Sequence, residues 1–262
     1  MRSSVTVAVF AGLGLSLLCG CGRAPVPGQN AGTVTTFSLG SAHFTPFTTR
    51  PTARQLYDTA VHLYDSFHSV ALSRESTSLG VFDPYGKGDW TVPTPARDKV
   101  EYRLVQPDKF VQVTVIQGRK GVAVANGKQS LFYRPWNNTY KRTRFLPEQV
   151  WQHMGLLRGH LTDVELLPDT RMGGAEVYAL RMRAEQAIPK MGGTFKYANT
   201  LYLGKSDLLP RKLVEIYERP PADNGRHVPP SIGTTVFHGV NANANLPASL
   251  FIAEPPDDAK PY

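Results

Sequence analysis

The 262-residue chain carries 29 Lys and Arg against 21 Asp and Glu, a formal charge of +8. Its two Cys, Cys19 and Cys21, exclude a disulfide-stapled miniature scaffold, and a chain of this length buries a core without one. The basic balance draws it toward anionic headgroups or an acidic protein partner, and the lack of a long basic run argues against nucleic acid.

The chain begins with Arg2, an apolar run from Val5 to Leu18, and then Leu18-Cys19-Gly20-Cys21. A charged start, a short apolar segment and small residues at a cut form the layout of a secretory signal. The run falls short of the roughly 20 apolar residues a membrane-spanning helix needs. Leu18-Cys19-Gly20-Cys21 resembles the bacterial lipobox. The resemblance implies that residues 1–20 are removed and that Cys21 is acylated, tying the protein to a membrane outside the cytoplasm. The alternative is a secreted protein cut near Ala24. Gly22 is not the Asp that marks inner-membrane retention in enteric bacteria, so the outer membrane is the expected location where one exists.

Residues 21–50 are rich in Gly, Pro, Ser and Thr and read as a flexible tether, which leaves 51–262 as one domain. Thr52 caps a helix from Ala53 to His68, with Leu56, Ala60, Leu63, Tyr64 and Phe67 on one face. The period then changes to two. Strands are expected over Val70–Val81, Val100–Leu104 and Val111–Val115, then a hairpin turning at Asn126-Gly127, then Tyr140–Phe145. A turn is expected around Trp90. A helical insertion follows from Pro147, carrying Val150, Trp151, Met154, Leu157 and Leu161, and weakened by Gly155 and Gly159. Strands resume at Glu176–Met182, Thr194–Leu203, Lys212–Tyr217 and Thr234–Val240, with a Pro-rich loop over 219–231 and a short last strand at Leu250–Ile252. Hairpins in succession imply a curved antiparallel sheet or open barrel.

The sequence offers no Gly-x-Ser-x-Gly elbow, no phosphate-cradling glycine loop and no His-Glu-x-x-His. His153 and His160 share the helical insertion but lack a third ligand. The expectation is therefore binding rather than catalysis, with no metal and no cofactor. A curved sheet with an apolar concave face, crossed by helices, makes a pocket for an apolar ligand. Candidate cavity residues are Val111, Val113, Val115, Phe132 and Trp136, and candidate lid residues are Trp151, Met154 and Leu157. Simple packing of helix on sheet accounts for the same residues.

Two blocks sharpen this reading. Gln106-Pro107-Asp108-Lys109-Phe110, Ala125-Asn126-Gly127-Lys128 and Leu131-Phe132-Tyr133-Arg134-Pro135-Trp136 with Tyr140 form the first. Asn199 to Tyr217 with Leu208-Leu209-Pro210-Arg211, and Leu250 to Pro256, form the second. Their order and spacing resemble the LolA family of lipoprotein carriers over roughly residues 53–260. The resemblance implies a mainly β fold with helices. It is an incomplete antiparallel β-barrel, covered by an N-terminal helix and a mid-chain helical lid, whose apolar cavity holds acyl chains of lipids or lipoproteins. Two departures stand out. Gln106 occupies the position of an Arg that latches the lid in the soluble carriers, and this chain carries a lipobox, closer to the LolB receptors. Two further readings stay open: an envelope sensor of the RseB kind, and a structural envelope lipoprotein with a filled core.

Overall fold

The computed structural model describes residues 33–79, 96–116, 118–144, 150–188, 193–220 and 230–262. Helix α1 spans Ala53–Asp65. Thr52 accepts from the Gln55 amide while the Gln55 side chain accepts from the Thr52 amide, a reciprocal cap that satisfies two otherwise unpaired donors. The helix buries Leu56, Tyr57, Ala60, Leu63 and Tyr64, one stripe at helical spacing. It stops three residues before the expected end. Ser66 closes it, its hydroxyl bonding the Leu63 carbonyl at 2.6 Å, and Phe67 turns into the core.

Strands β1 (Phe37–Ser38), β2 (Ser69–Leu79), β3 (Ala96–Val105), β4 (Lys109–Ile116), β5 (Arg119–Asn126), β6 (Gln129–Arg134) and β7 (Thr139–Arg144) come before a short α2 (Val150–His153). Strands β8 (Leu161–Met172), β9 (Ala175–Ile188), β10 (Gly193–Gly204), β11 (Pro210–Glu218), β12 (Ser231–Ala242) and β13 (Lys260–Pro261) follow. The described strands form one sheet in the order β13-β7-β6-β5-β4-β3-β2-β12-β11-β10-β9-β8, with β1 beside β12. Its outer strands β13 and β8 do not pair, so the sheet is an open half-barrel and the expected fold class holds. Trp90 and most of the Pro-rich loop lie outside the described residues.

Alternation along each strand separates two cores. The inner face gathers Leu72, Tyr102, Leu104, Leu180, Met182, Leu201 and Leu213 around α1. The outer face of β4–β6 buries Val111, Val113, Val122, Val124, Leu131 and Tyr133 under Phe251 and Ala253. Leu250–Ile252 is thus not a strand. A 3₁₀ turn over Ala248–Phe251 presses Phe251 onto the sheet instead.

Three other expectations change. Residues from Val34 onward are not a free tether. Phe37 pairs beside Val240, and Phe47 packs edge-on against Tyr178. The Arg50 guanidinium reaches the Leu167 carbonyl at 2.9 Å, so this stretch closes one end of the half-barrel. Gly239 permits it, because a side chain there would meet the Val34 carbonyl oxygen at 2.5 Å. Second, among the described residues the helical insertion is a single turn, Val150–His153, its expected start at Pro147 lying outside them. Gly155 and Gly159 take φ of +83° and +77°, which ends α2 early and frees Leu161 to open β8. Third, only Gly127 of Asn126-Gly127 has positive φ; Asn126 ends β5 and its side chain accepts from the Lys128 and Gln129 amides.

Candidate functional site

The inner face is layered. At the end closed by residues 34–50, α1 fills it. Across its middle runs a crossbar formed by residues 150–160. Val150, Met154 and Leu156 are buried there, and the His153 ring stacks on Tyr102 with centroids 3.8 Å apart. The crossbar is fastened to α1. Tyr57 donates to the Leu157 carbonyl at 2.9 Å, and Arg158 pairs with Asp65 at 2.7 Å.

Beyond the crossbar the half-barrel opens. A groove of ≈ 410 Å³ is lined by residues of β2, β10, β11 and β12, among them Tyr197, Asn199, Glu215, Tyr217, Ile232 and Gly233. That volume falls in the range of about 300–1,000 Å³ typical of small-molecule sites. Its walls are aromatic. The Tyr197 and Tyr217 rings lie 5.1 Å apart, and Phe195 stacks on Tyr217 at 5.5 Å. Gly233 faces the groove opposite Glu215 and Ser78, and its lack of a side chain keeps the space open.

Polar side chains line the groove and lie beside it. Asn199 is buried, and the Ser76 and Thr235 hydroxyls bond one another at 2.8 Å. Burial pulls the Arg74 guanidinium below its ordinary range, an effect opposed by Glu215 and, less, by Tyr102 and Asp98. Burial likewise pushes the Glu215 carboxyl up, opposed by Arg74. Arg74 Nε and Asp98 Oδ1 are buried without a hydrogen-bond partner among the described residues. An aromatic wall beside the Glu215 carboxylate and the Asn199 amide, with Arg74 behind Glu215, suits an amphiphile: a chain along the rings and a polar group toward Glu215 and Asn199.

The expected site residues are placed differently from one another. Val111 and Val113 belong to the outer core, and Val115 shares their face by alternation. The inner residues of β4 are Phe110, Gln112 and Thr114, so these three valines do not line the concave side. Phe132 is on the inner face, half-buried above Gly121. Trp136 stands 46% exposed at the β6–β7 turn. Met154 is core, and Leu157 is partly buried against that core. Trp151 lies in α2, but its side chain and Cys21 lie outside what the structure describes. Gln106 does not touch the crossbar contacts above; its amide donates to the Phe67 carbonyl, bracing the end of α1. His160 is exposed with φ +51°, and its carbonyl accepts from the Glu185 amide.

Sequence reasoning missed the groove's polar side chains, although a signal was present. Arg74 is in phase with Val70 and Leu72, Asn199 with Leu201 and Leu203, and Glu215 with Leu213 and Tyr217. Polar residues at inward positions of three strands, Asn199 paired directly with Glu215 and Arg74 near enough to hold down the rise of the Glu215 carboxyl, mark the place where the packed core gives way to a site.

No protein-family model matches the chain, and no curated protein matches its sequence. Solved structures do resemble it in shape. LprF from Mycobacterium bovis aligns over 75% of this chain and 95% of its own, at 9% identity and a TM-score of 0.41. The Mycobacterium tuberculosis lipoprotein LppX aligns over 75% and 96%, at 8% identity and a TM-score of 0.32. In the MucA/MucB complex of Pseudomonas aeruginosa the matched chain aligns over 76% of this one but only 61% of its own length, at 11% identity and a TM-score of 0.41.

Proposed function

We propose that this protein is a lipid-anchored envelope protein that binds, without chemical turnover, the acyl chains of lipids or lipoproteins in the open end of its half-barrel. The observation that carries the reading is the groove itself. Tyr197 and Tyr217 wall it, Gly233 keeps it open, and the crossbar separates it from the filled core below. Each methylene buried there gains about 0.8 kcal/mol, so part of one long chain suffices for stable binding. Polar atoms of Asn199 and Glu215, the latter backed by Arg74, meet the ligand's polar end. Transfer of the ligand to a membrane follows if the lipobox cysteine anchors the chain.

A second reading has one observation in its favour. Met154, Leu156 and α1 fill the most apolar part of the inner face, as a structural protein with a complete core would require. Titration with a fluorescent long-chain fatty acid separates the two. The binding reading expects saturable emission enhancement that Tyr217→Ala weakens. No enhancement at saturating probe would favour the filled core.

A further inference from the structure

We infer that the rim of the half-barrel's open end, on its β4–β7 side, is a docking surface for an anionic lipid bilayer. From Lys109 to Arg144 the chain has eight Lys and Arg and no Asp or Glu. These residues form β4–β7 and their turns, one flank of the sheet; Arg119, Lys120 and Arg134 lie at the open end, whereas Lys109 and Lys128 lie at the other. The β4–β5 and β6–β7 turns lie at the open end. Asp98 pairs with Ile116 beside the first turn, and Tyr133 pairs with Val122, which places Arg134 across from Gly121, next to Lys120.

The second turn presents aromatic rings to solvent. Trp136 is 46% exposed and Tyr262 48% exposed. The Arg134 guanidinium lies 3.9 Å from the Tyr262 ring centroid, 5.6 Å from Phe132 and 6.0 Å from Trp136. Exposed Trp and Tyr beside a cation match the level of a bilayer where an amphipathic ring is partly wet and a phosphate is near. A neutral surface would leave the cations without partners, so the chemistry selects anionic headgroups. Carboxylates are present on the outer side of the same turn. Asp257 and Asp258 are exposed there, and the Asp258 carbonyl accepts from the Asn138 side chain. They confine the attractive surface to the rim rather than to the outer face. Docked this way, the groove opens toward the bilayer. The docking itself does not depend on the groove's being occupied.

The test uses the full chain carrying Cys21→Ser, so that no acyl anchor holds it to a membrane, with vesicles of phosphatidylcholine alone, or mixed with phosphatidylglycerol, carrying brominated acyl chains. The mixed vesicles should quench a component of Trp emission that Trp136→Phe removes. The double variant R119Q/K120Q should weaken that binding about 30-fold, taking roughly 1 kcal/mol for each cation at an anionic surface. Salt at about 0.5 M should suppress it, because screening acts within a few ångströms there. Gly233→Phe, which fills the groove and leaves the rim intact, should retain the quenching, so rim docking and groove occupancy are read separately. Equal quenching by neutral vesicles, or equal quenching in Trp136→Phe, overturns the inference. So does binding to polyglutamate without binding to the mixed vesicles, which would assign the rim to an acidic protein.

Discussion

The hydroxyl of Tyr64 donates to the carbonyl of Leu208 at 2.7 Å, across 144 residues of sequence. Both residues are buried, and Leu208 sits at φ +53° in the turn between β10 and β11. This bond fixes the end of α1 against the sheet. Burial holds the Tyr64 phenol well above its usual range, so it stays a donor at any ordinary pH. Tyr64→Phe keeps the ring and leaves a buried carbonyl without its donor. The expected cost is about 1–3 kcal/mol, read as a lower denaturant midpoint at unchanged slope. A midpoint equal to wild type would mean that water replaces the hydroxyl.

Gly155 and Gly159 give a paired prediction. Both have positive φ, so a side chain at either is strained. At Gly155 an added Cβ would also approach Leu213 and Leu201 side-chain carbons at 3.0–3.3 Å, whereas nothing lies within 4 Å at Gly159. Gly155→Ala should therefore destabilise by about 1–3 kcal/mol, and Gly159→Ala by about 1 kcal/mol. Thermal melts of the two variants check this ordering, and a larger loss at Gly159 would contradict the crossbar's described path.

The sequence's periodicities made the two-period strands and the face of α1 readable, because alternation and helical spacing depend only on which side meets water. They did not make the inner and outer faces of β4 distinguishable. Val111, Val113 and Val115 alternate with Gln112 and Thr114, but alternation does not say which side is concave, and the apolar side is the outer one, buried under Phe251 and Ala253. Strand β8 was hidden for a different reason. Leu161 continues the apolar spacing of Val150, Met154 and Leu157, and only the positive φ at two glycines breaks the helix between them. The packing of residues 34–50 was unreadable because its aromatic anchors Phe37, Phe44 and Phe47 are scattered among turn formers and packed by distant strands.

Glu215 sets a pH dependence. Its folded-state pKa is raised, so the folded protein binds a proton that the unfolded chain has already released. Charged Glu215 therefore costs stability above its folded pKa, and the cost disappears as pH falls toward the ordinary carboxylate range near about 4. Glu215→Gln removes this term, while Arg74 stays charged throughout. The stability difference, variant minus wild type, should be more favourable to the variant at neutral pH than near pH 4. Denaturant titrations across that window check the sign. A constant difference would mean that Glu215 is hydrated when folded.

Cys21 is the expected lipid anchor. Cys21→Ser should move the protein from the membrane fraction to the soluble extracytoplasmic fraction, because acyl chains supply most of the attachment and a basic rim supplies little alone. Retention of a processed Cys21→Ser chain in membranes, insensitive to salt, would contradict the lipobox reading.

The most direct test of the central claim is mass spectrometry of lipids extracted from the purified protein, compared between wild type and Gly233→Phe. A Cβ at Gly233 meets Glu215 only at ordinary contact distances of 3.6–3.8 Å, with no positive φ to strain, so the variant should fold while its ring fills the groove. The account predicts acyl-chain lipid bound to wild type and lost from Gly233→Phe, at equal thermal stability. Absence of lipid from wild type after exposure to a lipid extract, or equal lipid in both proteins, would contradict it.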